Sequence, residues 1–181
     1  QYLIRKNGIN PKSFSLTLWD QSYSIFYSKE FFDKKTVFAF NISSKVKSGK
    51  KEEIWLDYFG GQATVRGWEL PDSSLYYSGS EDFRFGHESI YSSIEIRREI
   101  IPKYATSLNI EFGLVLVFFT DIGFIAKDFN TINYQEPISG TGLGIRIPFP
   151  IVNVIRLDYG WGFYNNKWNS GSLHFGIGQK F

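Results

Sequence analysis

Apolar and polar residues alternate along most of this chain, most clearly in its last segment, residues 171–181. Leu173, Phe175, Ile177 and Phe181 share one parity of this segment, and small or polar residues fill most of the other. Because successive side chains of a β-strand point to opposite faces, the segment has one apolar and one polar face. The pattern recurs along the chain without a helix to cover the apolar faces. The alternation therefore predicts strands whose apolar faces contact lipid.

Period-two alternation divides the chain into about eight predicted strands. Inward-facing positions on several of them are glycines or charged residues rather than apolar residues. Prolines are expected to end two of the strands, at Pro102 and at residues 148–150. The predicted strands are residues 13–19 (with Phe14, Leu16 and Leu18 outward), 23–32, 36–46, 89–99, 107–125, 139–147, 153–163 and 171–181.

The apolar segments are too short for transmembrane helices but long enough for transmembrane strands. The longest uncharged apolar run, residues 112–119, falls short of the ~20 residues that a spanning helix needs, whereas a tilted strand needs ~9–11. Only helices and closed barrels satisfy their backbone hydrogen bonds inside lipid. The aromatic content of 19% is typical of strands and membrane interfaces. We therefore predict an all-β, antiparallel transmembrane β-barrel segment.

One long connection, residues 48–87, interrupts the alternation and is rich in Gly, Ser, Asp and Tyr. Connections of this length in a compact protein are usually functional or disordered. The links at residues 128–138 and 164–170 are also expected to be long, whereas the proline turns are short. Outer-membrane barrels have short periplasmic turns and longer external loops, so we expect a periplasmic C-terminus.

Composition argues against several other classes of function. The net charge of +2 is too small to suggest a nucleic-acid partner, and the chain has no cysteine for a disulfide or a thiolate site. The two histidines, His87 and His174, have no ligand-like spacing. We therefore expect no metal, no cofactor and no enzymatic activity. Since the first residue is Gln, we expect a processed or excised part of a longer protein.

The candidate functional site centres on Arg66, in the glycine-rich segment 58–68 of the long connection. Three acidic residues lie on the inward parity of predicted strands: Glu95, Asp121 and Asp158. A loop folded into the barrel would bring Arg66 next to these acids. An arginine–carboxylate pair can form two parallel hydrogen bonds, which would orient the loop.

Five motifs together resemble the outer-membrane barrel-assembly and two-partner-secretion superfamily, also called the bacterial surface antigen family. Their order and spacing agree with that family from about residue 7 to the end. The matching segments are Val-Arg-Gly-Trp at 65–68, Ser-Ile-Glu-Ile-Arg at 93–97, Phe-Thr-Asp-Ile-Gly at 119–123, the glycine-rich hairpin 140–161 and the closing segment 175–181.

The resemblance implies a barrel of sixteen strands, of which this chain is the C-terminal part with residues 48–87 folded into the lumen. It implies that Arg66 anchors the loop, together with Val65, Gly67 and Trp68, and that Glu95, Asp121 and Gly123 on the wall hold it. It also implies that the last strand pairs weakly with the first along a lateral seam. The residues assigned to this seam strand are Phe175, Gly178, where the strand kinks, and Phe181.

The resemblance implies a bacterial outer-membrane protein that inserts or translocates other proteins. Its partners would be outer-membrane lipids and an unfolded β-barrel client or a secreted polypeptide, with accessory lipoproteins as further candidates. Two alternatives remain at this point. One is a passive barrel, either a small pore or the display unit of a fused hydrolase. The other, a soluble β-sandwich, is disfavoured because it would carry fewer inward glycines and charges.

Overall fold

The structure, a computed structural model, describes residues 2–6, 9–14, 16–51, 55–72, 78–105, 111–149 and 153–181. These residues form strands and two short 3-10 helices, Asp82–Arg84 and Phe129–Thr131. The strands are β1 (Tyr2–Lys6), β2 (Ile9–Phe14), β3 (Leu16–Phe31), β4 (Lys34–Gly49), β5 (Asp57–Tyr58), β6 (Phe85–Gly86), β7 (Glu88–Ala105), β8 (Glu111–Ala126), β9 (Ile138–Phe149), β10 (Asn153–Tyr164), β11 (Lys167–Trp168) and β12 (Ser172–Ile177).

Eight of these strands form one antiparallel sheet in the order β3-β4-β7-β8-β9-β10, with β11 and β12 sharing the far side of β10. Strands β1 and β2 form a separate hairpin, and β5 and β6 form a short ribbon within the connection between β4 and β7. Within the described residues, β3 therefore forms one edge of the sheet. Strands β11 and β12, which follow one another along β10, form the other edge. The predicted all-β antiparallel fold of about eight strands is confirmed.

The sheet is apolar on its outer face and charged on its inner face. On β7, Ile94 is 50% exposed while its neighbour Glu95 is fully buried. On β8, Phe118 is 48% exposed, whereas Phe119 is fully buried beneath the loop. A soluble protein buries its large apolar side chains, so this distribution is the reverse of a soluble core. An outward apolar band is the arrangement that β-barrels present to lipid.

Residues 59–68, in the connection between β4 and β7, lie against the inner face of the sheet. Their buried apolar side chains form the main core cluster with residues of β7 and β9. This cluster contains Phe59, Val65, Trp68, Tyr91 and Ile138. The core thus lies between the loop and the inner wall, where it holds the candidate site.

The structure corrects the predicted boundaries of the first strands. A single strand, β3, covers most of the two segments predicted at 13–19 and 23–32. Its register places Leu18 opposite Lys47 and Tyr27 opposite Phe38. Because directly paired residues share a face and Lys47 is buried on the inner face, Leu16 and Leu18 lie on the inner parity of β3, not the outer one. Apolar residues occupy both parities of β3, so the alternation alone could not assign its faces. The side chain of Phe14 lies outside the described part.

Of the two predicted proline turns, the one at Pro102 does not end its strand, whereas the one at residues 148–150 coincides with the end of β9. Strand β7 continues through Pro102 to Ala105, with register shifts between Glu99 and Ile101 and between Ile101 and Tyr104. Such irregularities tolerate a residue without a backbone N–H. Strand β9 includes Pro148, opposite Val154, and ends at Phe149, within the predicted turn. The predicted turn position at residue 150 lies outside the described residues.

The long link predicted at residues 164–170 is instead a tight hairpin. Asn165 and Asn166 have φ values of 48° and 59°, the left-handed conformation that two-residue hairpin turns require. Phe163 then pairs with Trp168. The alternation of short and long connections therefore does not extend to this last turn.

The closing strand is shorter than the alternation predicts. Strand β12 ends at Ile177, and Gly178, with φ of 81°, redirects the chain. The Gly178 N–H still donates to the Val154 carbonyl at 2.8 Å, and residues 179–181 then turn onto the inner face. The strand predicted to continue to Phe181 is wrong beyond Ile177, since a left-handed glycine interrupts the extended backbone.

None of the helices in the described ranges has the length and apolar character needed to cross a membrane.

Candidate functional site

Residues 59–68 form a compact turn that presents Arg66 to the inner wall. The Gly61 N–H donates to the Trp68 carbonyl at 2.7 Å, which closes the turn. The Thr64 hydroxyl accepts from the Gly60 N–H and donates to the Gly60 carbonyl, each at 2.9 Å. These hydrogen bonds pair four backbone polar groups within the turn and hold its shape against the sheet.

Val65 and Trp68 flank Arg66 and Gly67 and fix the turn by apolar packing. The Val65 side chain is fully buried. Trp68 packs edge-on against Phe83 with ring centroids 5.7 Å apart, and its indole N–H donates to the Ser139 carbonyl at 2.9 Å. Val65 and Trp68, two of the three residues predicted to accompany Arg66, therefore pack against residues of the wall.

Arg66 and Asp121 form a forked ion pair at the centre of the site. The guanidinium Nε donates to Asp121 Oδ2 at 2.8 Å, and a terminal nitrogen donates to Oδ1 at 3.0 Å. The Arg66 backbone N–H also donates to Oδ2, at 3.0 Å. Asp121 therefore fixes both the direction of the side chain and the position of its backbone, as two-point arginine–carboxylate pairing requires.

The other terminal nitrogen of Arg66 reaches two further carboxylates on the wall. It lies 2.5 Å from Glu95 Oε1 and 3.3 Å from Asp158 Oδ2. The guanidinium carbon is 3.7 Å from the centre of the Phe119 ring, a cation–π contact. Arg66 is fully buried, and these partners come from β7, β8 and β10. One side chain thus connects the loop to three strands.

The acid cluster contains more cations than Arg66. Arg146 donates to Asp158 Oδ1 at 2.5 Å, and Arg97 donates to Glu95 Oε2 at 2.7 Å. Each carboxylate therefore retains a cationic partner besides Arg66. Within the described residues, ion pairs join the three carboxylates Glu95, Asp121 and Asp158 to the four cations Arg66, Arg97, Arg146 and Lys180.

Lys180, beyond the end of β12, reaches the same aspartate as Arg66. Its ammonium donates to Asp121 Oδ2 at 3.0 Å and to the Thr64 carbonyl at 2.6 Å. Burial lowers the pKa of Lys180 to about 8, and the charge of Asp121 opposes that shift. The inward turn at Gly178 thus brings the end of the chain into the loop-binding site.

Inward glycines leave the space that the loop occupies. A methyl group at Gly140 would collide with the Arg66 carbonyl, and one at Gly123 would collide with the Phe59 ring. A Cβ at Gly160 would lie 2.9 Å from the Phe119 ring. The glycine alternation of the sequence therefore has a steric cause: the wall is flat where the loop and Phe119 lie on it. Gly123, predicted as a wall residue, accommodates Phe59 rather than Arg66.

Gly67 makes the closest approach of the loop to the wall. Its φ of 93° is in the left-handed region, and a Cβ there would lie 2.5 Å from the Trp161 carbonyl carbon. Its N–H donates to His174 Nε2 at 2.9 Å, and its carbonyl accepts from the Asn169 amide at 2.6 Å. Only glycine combines this conformation with this proximity.

The three residues predicted for the seam strand occupy different environments. Phe175 projects from the outer face and is 57% exposed. Gly178 forms the inward turn. The Phe181 ring lies on the inner side, 6.2 Å from that of Phe26 and 5.3 Å from the Arg97 guanidinium carbon. Their predicted role in a seam stays a prediction.

The structure brings Arg66, Glu95, Asp121 and Asp158 together as the inward parities predict. Sequence reasoning missed further contact residues, among them Arg146, Asn169, His174 and Lys180. Arg146 and His174 carried a usable signal, because each shares the inward parity of the glycines in its strand. Asn169 and Lys180 lie outside the strands, where alternation gives no signal.

The chemistry of the site is ionic and hydrogen-bonding. Within the described ranges, no group of three His, Cys, Asp or Glu side chains is arranged to hold a metal ion. His174 Nε2 accepts from the Gly67 N–H and lies 2.9 Å from the Ser172 hydroxyl, so the loop backbone already occupies this nitrogen. These ion pairs and hydrogen bonds can hold the Arg66 loop against the inner face of the sheet, and they can exchange partners when the loop or a strand moves.

A comparison with known protein families identifies this architecture. No curated protein and no solved structure matches the chain. The family model of the Omp85 superfamily domain matches residues 5–181. This family is associated with the outer membrane, which agrees with the apolar outer face of the antiparallel sheet. The chain belongs to the Omp85 superfamily.

Proposed function

We propose that this chain is part of an outer-membrane β-barrel that inserts or translocates polypeptides, with the Arg66 loop controlling the state of the barrel wall. The observation that carries the proposal is the buried cluster joining the loop to β7, β8 and β10. A passive pore needs only a closed wall and an open lumen. Here one loop arginine contacts three carboxylates of the wall, two of them within 3.0 Å.

The closing edge of the sheet supports a role in accepting polypeptide strands. Strand β12 pairs with β10 over six residue pairs, from Gly160–Ser172 to Ile155–Ile177. A short edge strand presents backbone N–H and C=O groups to which another strand can add. In lipid, unpaired backbone groups cost several kcal/mol each, so such an edge would favour strand insertion. The proposal involves no covalent step.

The partners proposed on this basis are outer-membrane lipids along the apolar face and an unfolded β-barrel client or secreted polypeptide at the edge. Accessory lipoproteins are further candidates. We also propose that the C-terminus faces the periplasm. The C-terminal ends of β3, β7 and β9 would then share that side with the end of β12, and the chain returns after a few residues from each of the first three, as periplasmic turns of outer-membrane barrels do.

Substitution of Arg66 tests this proposal. In cells that depend on this protein, we expect Arg66→Ala to reduce assembly or secretion of client proteins at least several-fold, while the variant itself still reaches the outer membrane. Arg98→Ala is the matched control, because the Arg98 guanidinium contacts the Phe31 carbonyl rather than the acid cluster. Client levels should be unchanged in this control.

Wild-type client assembly in Arg66→Ala would contradict the proposed role of the loop. A change in ion conductance without any client defect would favour the passive pore instead. Photo-crosslinking from residue 173, on the exposed face of β12, gives a separate test. Client adducts at this position support an accepting edge, and their absence while clients are in transit would count against it.

A further inference from the structure

The loop contacts the closing edge of the sheet as well as the acid cluster. Asn169 lies between β11 and β12, where the edge strand is interrupted, and its side-chain amide donates to the Gly67 carbonyl at 2.6 Å. His174 lies within β12 and accepts from the Gly67 N–H at 2.9 Å. Both polar groups of one loop residue are therefore held by side chains of the closing edge.

A third contact follows the end of β12. The Lys180 ammonium donates to the Thr64 carbonyl at 2.6 Å. Three side chains of the closing segment thus reach the loop backbone, from positions before, within and after β12. All three contacts involve main-chain atoms of residues 64 and 67, which no substitution in the loop can remove by changing a side chain.

The loop also covers the inner face of β12 directly. A Cβ at Gly176 would collide with the Gln62 side-chain oxygen, so this strand is flat where the loop lies on it. The other long side of β12 carries no strand pairing within the described residues. The edge strand is therefore held by β10 on one side and by the loop from the inner face.

We propose that Asn169, His174 and Lys180 are positioning residues that latch the closing edge strand to the Arg66 loop, so that the edge is released when the loop leaves the wall. Arg66 holds the loop to β7, β8 and β10 through its three carboxylate partners. The three latch residues hold the closing edge strand to the loop. Loop position and edge pairing are then two parts of one equilibrium. This inference deepens the function proposed above, but its test does not depend on client assembly.

Asn169 allows the latch to be separated from the local strand geometry. Its side-chain oxygen accepts from the Gly162 and Gly171 N–H groups at 2.8 and 2.9 Å, and its nitrogen alone contacts the loop. Asn169→Asp keeps the oxygen that accepts from the two strand N–H groups and replaces the amide nitrogen with a negative oxygen that faces the Gly67 carbonyl. Asn166→Asp makes the same chemical change in the exposed β10–β11 turn and is the matched control.

The measurement is backbone hydrogen exchange of residues 172–177 in the folded full-length protein in lipid nanodiscs, followed by mass spectrometry. Exchange of paired strands reports local opening. Because a lost hydrogen bond shifts such an equilibrium by roughly five- to tenfold, we expect Asn169→Asp and His174→Leu each to accelerate exchange in β12 by about that factor. His174→Gln keeps an acceptor and should exchange close to the wild-type rate, as should Asn166→Asp.

The Arg66→Ala background distinguishes a latch from a merely structural role. If Asn169 acts through the loop, releasing the loop should itself accelerate β12 exchange, and Asn169→Asp should then add less than about twofold, as expected for coupled sites. Wild-type exchange in both latch variants, or an undiminished effect of Asn169→Asp in the Arg66→Ala background, would overturn the proposal. A client defect without altered exchange would leave the proposed function standing and remove the latch.

Discussion

The acid cluster predicts that its aspartate matters more for stability than its central arginine. Arg66 contacts Glu95, Asp121 and Asp158, and each of these carboxylates has a further cation in contact. Removing the arginine charge leaves three carboxylates facing three cations. Removing the Asp121 charge leaves two carboxylates facing four cations, and Lys180 loses its carboxylate partner within the described residues. The second change is therefore the more costly one.

The magnitudes follow from the contacts. Breaking a buried ion pair by removing one partner costs about 3–5 kcal/mol when it leaves an uncompensated charge. Arg66→Met keeps much of the side-chain volume and leaves every carboxylate paired, so we expect a loss of about 1.5–3 kcal/mol, the range for a hydrogen bond to a charged group. Asp121 accepts from Arg66, Tyr91, Ser93 and Lys180. For Asp121→Asn we therefore expect about 4–5 kcal/mol.

Urea unfolding in lipid vesicles, followed by tryptophan fluorescence and by heat-modifiable gel migration, gives both free energies. Asp128→Asn is the matched control, since Asp128 is an exposed carboxylate that pairs with Lys51 at 2.9 Å and surface pairs contribute little. The control should unfold close to the wild type. Equal losses for Arg66→Met and Asp121→Asn, or a larger loss for Arg66→Met, would refute the charge-balance reasoning.

Three further perturbations test separate parts of the structure. Gly140→Ala should displace the loop, because the added methyl collides with the Arg66 carbonyl. Limited proteolysis within residues 59–68 should then become faster, and an unchanged cleavage rate would contradict the close contact between the loop and Gly140. Phe118→Lys places a charge on the apolar outer face and should lower the free energy of unfolding by roughly 2–4 kcal/mol if Phe118 lies near the bilayer midplane. Urea unfolding in vesicles measures this loss, and wild-type stability would argue against lipid contact at Phe118. The pKa of Lys180 is lowered from 10.5 to about 8 in the folded protein. Between about pH 8 and pH 10 the unfolded chain therefore binds more protons than the folded one. The free energy of unfolding of the wild type, relative to Lys180→Met, should rise over this interval. A fall over this interval, measured by thermal unfolding, would contradict the burial of this ammonium.

Much of the fold follows from side-chain parity. Glu95, Asp121 and Asp158 could be placed on one face because every second residue of an antiparallel strand points the same way. The glycines of β9 and β10 could be assigned to that face for the same reason. Parity is a local property of a strand, so the residues that share a face can be identified from the sequence without knowing the partner strand.

Features that depend on distant contacts could not be predicted in this way. The face of Leu18 is decided by pairing with Lys47 on β4, and Pro102 stays within β7 because the register is irregular there. Lys180 enters the acid cluster because Gly178 reverses the chain, which alternation cannot reveal. Asn169 resembles any loop asparagine until its position beside Gly67 is known.

The structure shows the Arg66 loop fastened to the wall through Asp121. A double-mutant cycle of Arg66→Met and Asp121→Asn, measured as free energies of unfolding in lipid vesicles, tests this attachment most directly. The contacts at 2.8 and 3.0 Å predict a coupling free energy of at least about 2 kcal/mol. Additivity of the two substitutions within about 0.5 kcal/mol would contradict this attachment and would mean that the loop is held to the wall by other contacts.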